Sequence, residues 1–144
     1  ALSPRLVTFK FDSQLKQISC GVQHSLFLTV NGYIYGCGNH ISRGKEISQI
    51  FKYAIDNIDK IGCCGYTNFM LDNNGSLNIS GEDITQDSHY THMSITKLNE
   101  SNVNVVDFQC GGYHMGYITK NGTLYIVGRN SEQQCGIKFY TNVN

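Results

Sequence analysis

Short apolar stretches occur along the chain in three pairs, and an Asn-Gly dipeptide separates the two members of each pair. The stretches before the dipeptides lie at 26–28, 69–71 and 117–118, and those after them lie at 33–35, 77–79 and 124–127. They are rich in β-branched and aromatic residues, which is typical of strands. Asn-Gly between two apolar runs indicates a β-hairpin, and a type I′ turn requires positive φ at both central residues. The pattern therefore predicts three hairpins with type I′ turns at Asn31-Gly32, Asn74-Gly75 and Asn121-Gly122.

The residues around these hairpins repeat as well. Another glycine follows each turn glycine six residues later, and a small-residue pair precedes each hairpin. A histidine begins the first apolar strand in the first and third copies, where the middle copy has Thr67, and the middle copy has Cys64 where the others have glycine. We predict that the recurring residues are structural repeat positions: Gly21, His24, Asn31, Gly32, Gly38, Asn74, Gly75, Gly81, Gly111, His114, Asn121, Gly122 and Gly128.

Repeated hairpins that stack as sheets around an axis form a β-propeller. The connections 39–60 and 82–107 are long enough for outer strands, although the mixed apolar spacing of 47–58 leaves a short helix open. The prediction is an all-β chain that forms a partial β-propeller of about three antiparallel four-stranded blades. We expect residues 1–144 to be one partial propeller, with 1–16 as the end of a preceding repeat and 17–59, 60–106 and 107–144 as successive repeats.

Charge and composition narrow the function. The 144 residues carry 11 basic and 11 acidic side chains, so the net charge is zero, and a neutral surface is a poor match for the phosphate backbone. No apolar run approaches the length of a membrane helix, and the first residues do not have the pattern of a signal peptide. We therefore expect a piece of a longer cytoplasmic or nuclear protein, with no nucleic acid or membrane as partner from this segment.

Six cysteines are the first candidates for chemistry. Cys20, Cys63 and Cys110 occupy one repeat position, which favours packing, and no pair has the Cys-x-x-Cys spacing of a metal site. We predict buried free thiols, with a disulfide as the alternative. The histidines divide similarly. His24 and His114 recur with the repeat, so we expect partly buried rings that bond to the backbone, whereas His89 and His92 form a His-x-x-His pair that favours a solvated loop over a metal site.

The spaced glycines and the His-Ser pair resemble a known family. Residues Ile18–Leu26 and Asn31–Asn39 are similar to the regulator of chromosome condensation repeat, and 110–114, 121–125 and 127–130 match it in the same way. The stretch 133–136 resembles the Gly-Gln-Leu-Gly segment of that family, and Pro4–Val7 resembles its Pro-x-x-Val segment. Cys37, Ser80 and Val127 stand where the family has Trp, so the resemblance is to a divergent member. A kelch propeller is the alternative, because Gly111-Gly112 before Tyr113 resembles its double glycine.

The resemblance implies a fragment of a seven-bladed ring that serves as a binding scaffold for a protein partner, possibly a small GTPase. We expect no enzyme, no catalytic residue, no cofactor, no metal and no small-molecule substrate. Two alternatives stay open: a recognition arm of a larger enzyme such as a ubiquitin ligase or kinase, and a guanine-nucleotide exchange factor for a Ran-type small GTPase. Tyr66 and Tyr113 share a repeat position on the face that the family uses for partners, but we favour core packing for them.

Overall fold

The computed structural model describes residues 3–39, 49–82 and 92–136. These residues form eleven β-strands in three antiparallel sheets, and each sheet is called a blade below. Blade 1 consists of β1 (Leu15–Cys20), β2 (His24–Thr29), β3 (Ile34–Gly38) and β4 (Phe51–Lys52). Blade 2 consists of β5 (Ile58–Cys64), β6 (Thr67–Asp72), β7 (Leu77–Glu82) and β8 (His92–Lys97). Blade 3 consists of β9 (Val105–Cys110), β10 (His114–Thr119) and β11 (Leu124–Gly128).

The predicted all-β fold of about three stacked antiparallel blades is confirmed. Two blades have four strands, and blade 3 has three within the described residues. The short helix considered for 47–58 is wrong for its described part, because Phe51–Lys52 pair with β3 as a strand. The repeat boundaries 17–59, 60–106 and 107–144 stay a prediction. In the described part of the chain, no helix is long and apolar enough to cross a bilayer.

The three hairpin turns differ from the predicted type I′ geometry. Gly32, Gly75 and Gly122 have φ of 88°, 83° and 85°, whereas the preceding asparagines do not have positive φ. Each of these glycines donates its N–H to the carbonyl three residues earlier, as Gly32 does to Thr29 at 3.0 Å. The asparagine is therefore the second central residue of a right-handed turn, and the glycine forms the left-handed bulge after it. This is the three-residue hairpin loop, and only its last residue needs a left-handed backbone.

Apolar side chains are buried in two seams between blades. Seam 1 joins blade 1 to blade 2 through Leu26, Leu28 and Ile34 on one side and residues such as Ile58 and Ile61 on the other. Seam 2 joins blade 2 to blade 3 and contains Phe69, Leu71, Leu77, Ile79, Val105, Phe108, Met115 and Val127. Since each blade places apolar side chains on both of its faces, the alternation of polar and apolar residues along the strands is incomplete.

The same repeat positions are exposed at the two ends of the array. Ile34 and Leu77 are 0% exposed in seams 1 and 2, but the equivalent Leu124 of blade 3 is 60% exposed. On the other side, Ile61 and Phe108 are almost fully buried, whereas the equivalent Ile18 of blade 1 is 62% exposed. The outer faces of blades 1 and 3 therefore have the composition of a blade interface.

Candidate functional site

The turns between the first and second strands of the blades lie at one end of the structure. The residues that follow the exit glycines of β3 and β11 lie beside them, because Asn39 N–H donates to Gln23 O and Arg129 N–H donates to Tyr113 O, each at 2.8 Å. The exit glycines allow this close approach. Gly128 has φ of 116°, and a Cβ there would lie 2.6 Å from Tyr113 O. Gly38 and Gly81 have the same geometry against the carbonyls of Gln23 and Tyr66.

These turns form a continuous surface across the blades. Val22 N–H of blade 1 donates to Gly65 O of blade 2 at 3.0 Å. The Tyr113 ring of blade 3 covers Gly65 so closely that a Cβ there would lie 3.1 Å from the ring carbons. The surface is called the loop face below, and its exposed or half-buried side chains are Val22, Gln23, Tyr66, Tyr113 and Arg129.

The predicted core packing is wrong for Tyr113. Its side chain is 47% exposed, and Tyr66 at the equivalent position is half-buried. The rings lie in the turns between strands, where the flat glycine surface of the neighbouring blade supports them from one side only. The aromatic surface therefore remains accessible to solvent.

The predicted repeat histidines occupy equivalent places but differ in burial. His24 is buried and His114 is half-buried. Nε2 of His24 lies 2.7 Å from Oδ1 of Asn68 in blade 2, and burial lowers the pKa of His24 while this hydrogen bond acts in the opposite direction. The printed partner is thus a side chain in the next blade, and sequence reasoning missed Asn68.

Gly21 and Gly111 lie directly against these two rings. A Cβ at Gly21 would collide with the His24 ring, and a Cβ at Gly111 would collide with the His114 ring. The middle copy has Cys64 and Thr67 at the same two positions. A threonine is smaller than a histidine and leaves room for the cysteine side chain, so the two departures of the middle copy are one correlated change.

Asn68 connects His24 to further polar groups inside seam 1. Its Nδ2 donates to Tyr53 OH at 3.4 Å and to Ser80 Oγ at 3.3 Å, and the Cys63 thiol lies 3.8 Å from its Oδ1. All five residues are buried. A buried polar network of this kind fixes the arrangement of the blades and offers no access to a substrate.

All six cysteines are free, as the sequence predicts. Burial raises the pKa of Cys63 to about 11 and the pKa of Cys64 and Cys110 to about 12, so these thiols stay protonated and weakly nucleophilic. The prediction of burial is wrong for Cys20, which is exposed because it lies on the uncovered face of blade 1. Among the described residues, no group of three or more His, Cys, Asp or Glu side chains is placed to hold a metal. His89 lies outside the described residues, so the His-x-x-His pair is not described as a unit.

Comparison with known proteins places the chain in context. The profile of the Regulator of chromosome condensation (RCC1) repeat matches residues 15–42. An RCC1 domain-containing protein of Dictyostelium discoideum is 28% identical over 127 residues, which cover 88% of this chain and 20% of the relative. Probable E3 ubiquitin-protein ligase HERC6 of Homo sapiens is 26% identical over an alignment of 158 residues, which covers 94% of this chain and 15% of the relative. The chain thus spans a fifth or less of the length of these two relatives.

Solved structures agree on the fold. Prp20p of Saccharomyces cerevisiae superposes with a TM-score of 0.71 at 18% identity, over 85% of this chain and 32% of Prp20p, and its crystal structure was described together with its binding to Gsp1p and histones. Human WBSCR16 superposes with a TM-score of 0.59 at 17% identity, over 94% of this chain and 52% of WBSCR16. The described blades have the fold of part of such a propeller.

Proposed function

Because the chain is a divergent member of the regulator of chromosome condensation repeat family, we propose that it is part of a propeller that binds another protein through the loop face. The observation that carries this proposal is the continuity of that face across three blades. Val22 is bonded to Gly65, and Tyr113 lies over Gly65, so side chains far apart in sequence are presented together.

The composition of the loop face suits a protein partner. Val22 and Tyr113 are 52% and 47% exposed, and Arg129 is exposed beside them. Aromatic and arginine side chains are enriched at protein interfaces, and a rigid support lowers the entropy that binding must remove. The support here consists of backbone hydrogen bonds between blades rather than a single flexible loop.

Two exposed valines provide a matched test. Val22 lies on the loop face, and Val30, which is 56% exposed, lies in the Asn-Gly turn at the opposite end of blade 1. We expect full-length protein with Val22→Asp or Tyr113→Ala to lose binding partners that the wild type and Val30→Asp both retain in quantitative affinity purification. Partner binding that survives both loop-face substitutions, or that is lost only with Val30→Asp, would contradict the proposal.

A recognition arm of a larger enzyme is the second candidate. HERC6 is named as a probable ubiquitin ligase, and this chain spans 15% of it. The complete open reading frame decides this candidate: an appended catalytic domain supports it, and a protein that consists of repeats alone rejects it.

Nucleotide exchange on a Ran-type small GTPase is the narrower alternative. The binding of Prp20p to Gsp1p motivates a direct assay of nucleotide release with the full-length protein. Release no faster than the intrinsic rate rejects exchange and leaves the scaffold proposal intact. The absence of enzymatic activity and a cytoplasmic or nuclear location stay predictions.

A further inference from the structure

We propose that Asn74 is the preferred site of spontaneous deamidation among the three Asn-Gly turns. Asn followed by Gly is chemically labile because glycine has no side chain to hinder attack by its backbone nitrogen. The three turns share sequence and hairpin geometry, so differences between them isolate the effect of the surrounding hydrogen bonds.

The amide oxygens of Asn31 and Asn121 are held by hydroxyl groups. Oδ1 of Asn31 accepts from Thr29 Oγ1 at 2.7 Å and also from Ser13 Oγ. Oδ1 of Asn121 accepts from the hydroxyls of Thr119 and Thr123. These bonds hold the side-chain amide in one orientation, and attack by the next backbone nitrogen requires the side chain to rotate out of it.

Asn74 has no such restraint within the described residues. Asp72 stands at the position of Thr29 and Thr119, and a carboxylate cannot donate a hydrogen bond to the amide oxygen. Instead, Asp72 Oδ1 accepts from the backbone N–H groups of Asn74 and Ser76, each at 2.9 Å. The Asn74 side chain is exposed, and no described residue forms a hydrogen bond with it.

The attacking nitrogen is also held least tightly in this turn. Gly75 N–H donates to Asp72 O at 3.2 Å, compared with 3.0 Å for Gly32 and 2.9 Å for Gly122 in the equivalent bonds. A weaker bond lowers the cost of turning this nitrogen toward the side chain. Both the nucleophile and the electrophile are therefore freer at Asn74 than in the other two turns.

The reaction needs only water. The Gly75 nitrogen forms a bond to Cγ of Asn74 and loses its proton, while the Cγ–Nδ2 bond breaks and ammonia leaves, which gives a succinimide. Water then adds to one of the two imide carbonyls and breaks its bond to the ring nitrogen. The product is aspartate or, when the main-chain carbonyl is attacked, isoaspartate with one additional methylene in the backbone.

Isoaspartate at residue 74 would loosen seam 2. Gly75 O accepts hydrogen bonds from Val105 N–H at 2.9 Å and from Asn99 Nδ2 at 3.1 Å. A Cβ on Gly75 would lie 3.2 Å from Asn104, so the turn fits closely against blade 3. A longer backbone immediately before Gly75 displaces this carbonyl, and Asn74 is thus a site where chemical ageing weakens the contact between blades 2 and 3.

The test incubates the protein at mildly alkaline pH, once folded and once in concentrated urea, and follows all three asparagines by peptide mass spectrometry and isoaspartyl methyltransferase labelling. In urea we expect the three rates to be similar. In the folded protein we expect Asn74 to react close to its urea rate, and Asn31 and Asn121 to react about tenfold more slowly or less, which corresponds to one or more retained hydrogen bonds. Protection of Asn74 equal to that of the other two overturns the proposal.

Exchange of the controlling residues provides the second measurement. Thr119→Val removes the hydroxyl that holds Asn121 and should raise its folded-state rate, whereas Asp72→Thr introduces a hydroxyl beside Asn74 and should lower its rate. If one variant fails to fold, its three rates match those in urea, and the other variant together with the wild type still decides. Unchanged rates in folded variants overturn the proposed mechanism of protection.

Discussion

Nε2 of His24 lies 2.7 Å from Oδ1 of Asn68, and this hydrogen bond crosses seam 1 between buried residues of neighbouring blades. Asn68 also bonds to Tyr53 and Ser80, so one amide connects two blades and the outer strand region of blade 1. Buried polar groups that satisfy one another specify a single arrangement of the elements that carry them.

Asn68→Ala should destabilise the fold by about 1–3 kcal/mol, because it removes buried hydrogen bonds and leaves their partners desolvated. Urea unfolding followed by circular dichroism measures this change. Asn102 is exposed, and Asn102→Ala serves as the control that should stay within about 0.5 kcal/mol of the wild type. Equal stability of the two variants would show that the seam 1 network contributes nothing.

The stability should fall as the solution is acidified through the histidine range. Burial lowers the pKa of His24 from 6.5, so the unfolded chain binds a proton at a higher pH than the folded chain does. The contribution of neutral His24 is therefore complete above its unfolded pKa and decreases as the pH falls from there toward the lower folded pKa.

Unfolding free energies at about pH 7.5 and about pH 5.5 should differ in the wild type, and the difference should shrink in His24→Gln. His114→Gln is the matched control, because this half-buried histidine occupies the same repeat position in blade 3. A pH dependence that persists in His24→Gln and disappears in His114→Gln would assign the effect to the wrong ring.

The strands and their stacking could be predicted from the sequence because both depend on local patterns. Apolar pairs flanked by Asn-Gly indicate hairpins, and repetition of those pairs indicates blades that bury both faces. The turn type was missed for a related reason. Asn-Gly is compatible with both two-residue and three-residue loops, and the choice depends on the hydrogen bond between Gly32 N–H and Thr29 O.

The cross-blade contacts could not be predicted from local patterns. Asn68 lies 44 residues from His24, and neither residue type identifies the other as its partner. The correlated change from glycine and histidine to Cys64 and Thr67 is visible in the sequence, but its meaning depends on the contact between the Gly21 position and the His24 ring. The exposure of Tyr113 likewise depends on the support that Gly65 gives from another blade.

Lys60 of blade 2 and Asp107 of blade 3 form an ion pair that should contribute little to stability. Their side chains are 27% and 49% exposed, and pairs with this exposure contribute up to about 1 kcal/mol. A double-mutant cycle with Lys60→Met and Asp107→Asn should give a coupling in this range that decreases with added salt. The hydrogen bond from Lys60 lowers the pKa of Asp107, so this contribution is lost only in acid, well below the range of His24. A coupling that is insensitive to salt would contradict the assignment to an exposed ion pair.

Alanine at two turn glycines should separate backbone strain from contact with the next blade. Gly75 and Gly122 have nearly equal φ, but a Cβ at Gly75 would lie 3.2 Å from Asn104, whereas nothing described lies within 4 Å of one at Gly122. Gly122→Ala should cost about 1 kcal/mol for the left-handed backbone, and Gly75→Ala should cost more. Thermal unfolding compares the two, and equal losses would mean that the fit of the turn against blade 3 is loose.

Leu77 and Leu124 occupy the same repeat position, but Leu77 is 0% exposed in seam 2 and Leu124 is 60% exposed on the outer face of blade 3. In the 144-residue chain, Leu77→Ala should cost about 2–5 kcal/mol through lost burial and the cavity it leaves, whereas Leu124→Ala should change stability by less than about 0.5 kcal/mol. Chemical denaturation of both variants measures the difference. The outer face of blade 3 has the composition of a seam, so a longer protein in which another blade covers it should show a large cost for Leu124→Ala as well. If Leu124→Ala remains neutral in the full-length protein, this face is not covered by a blade.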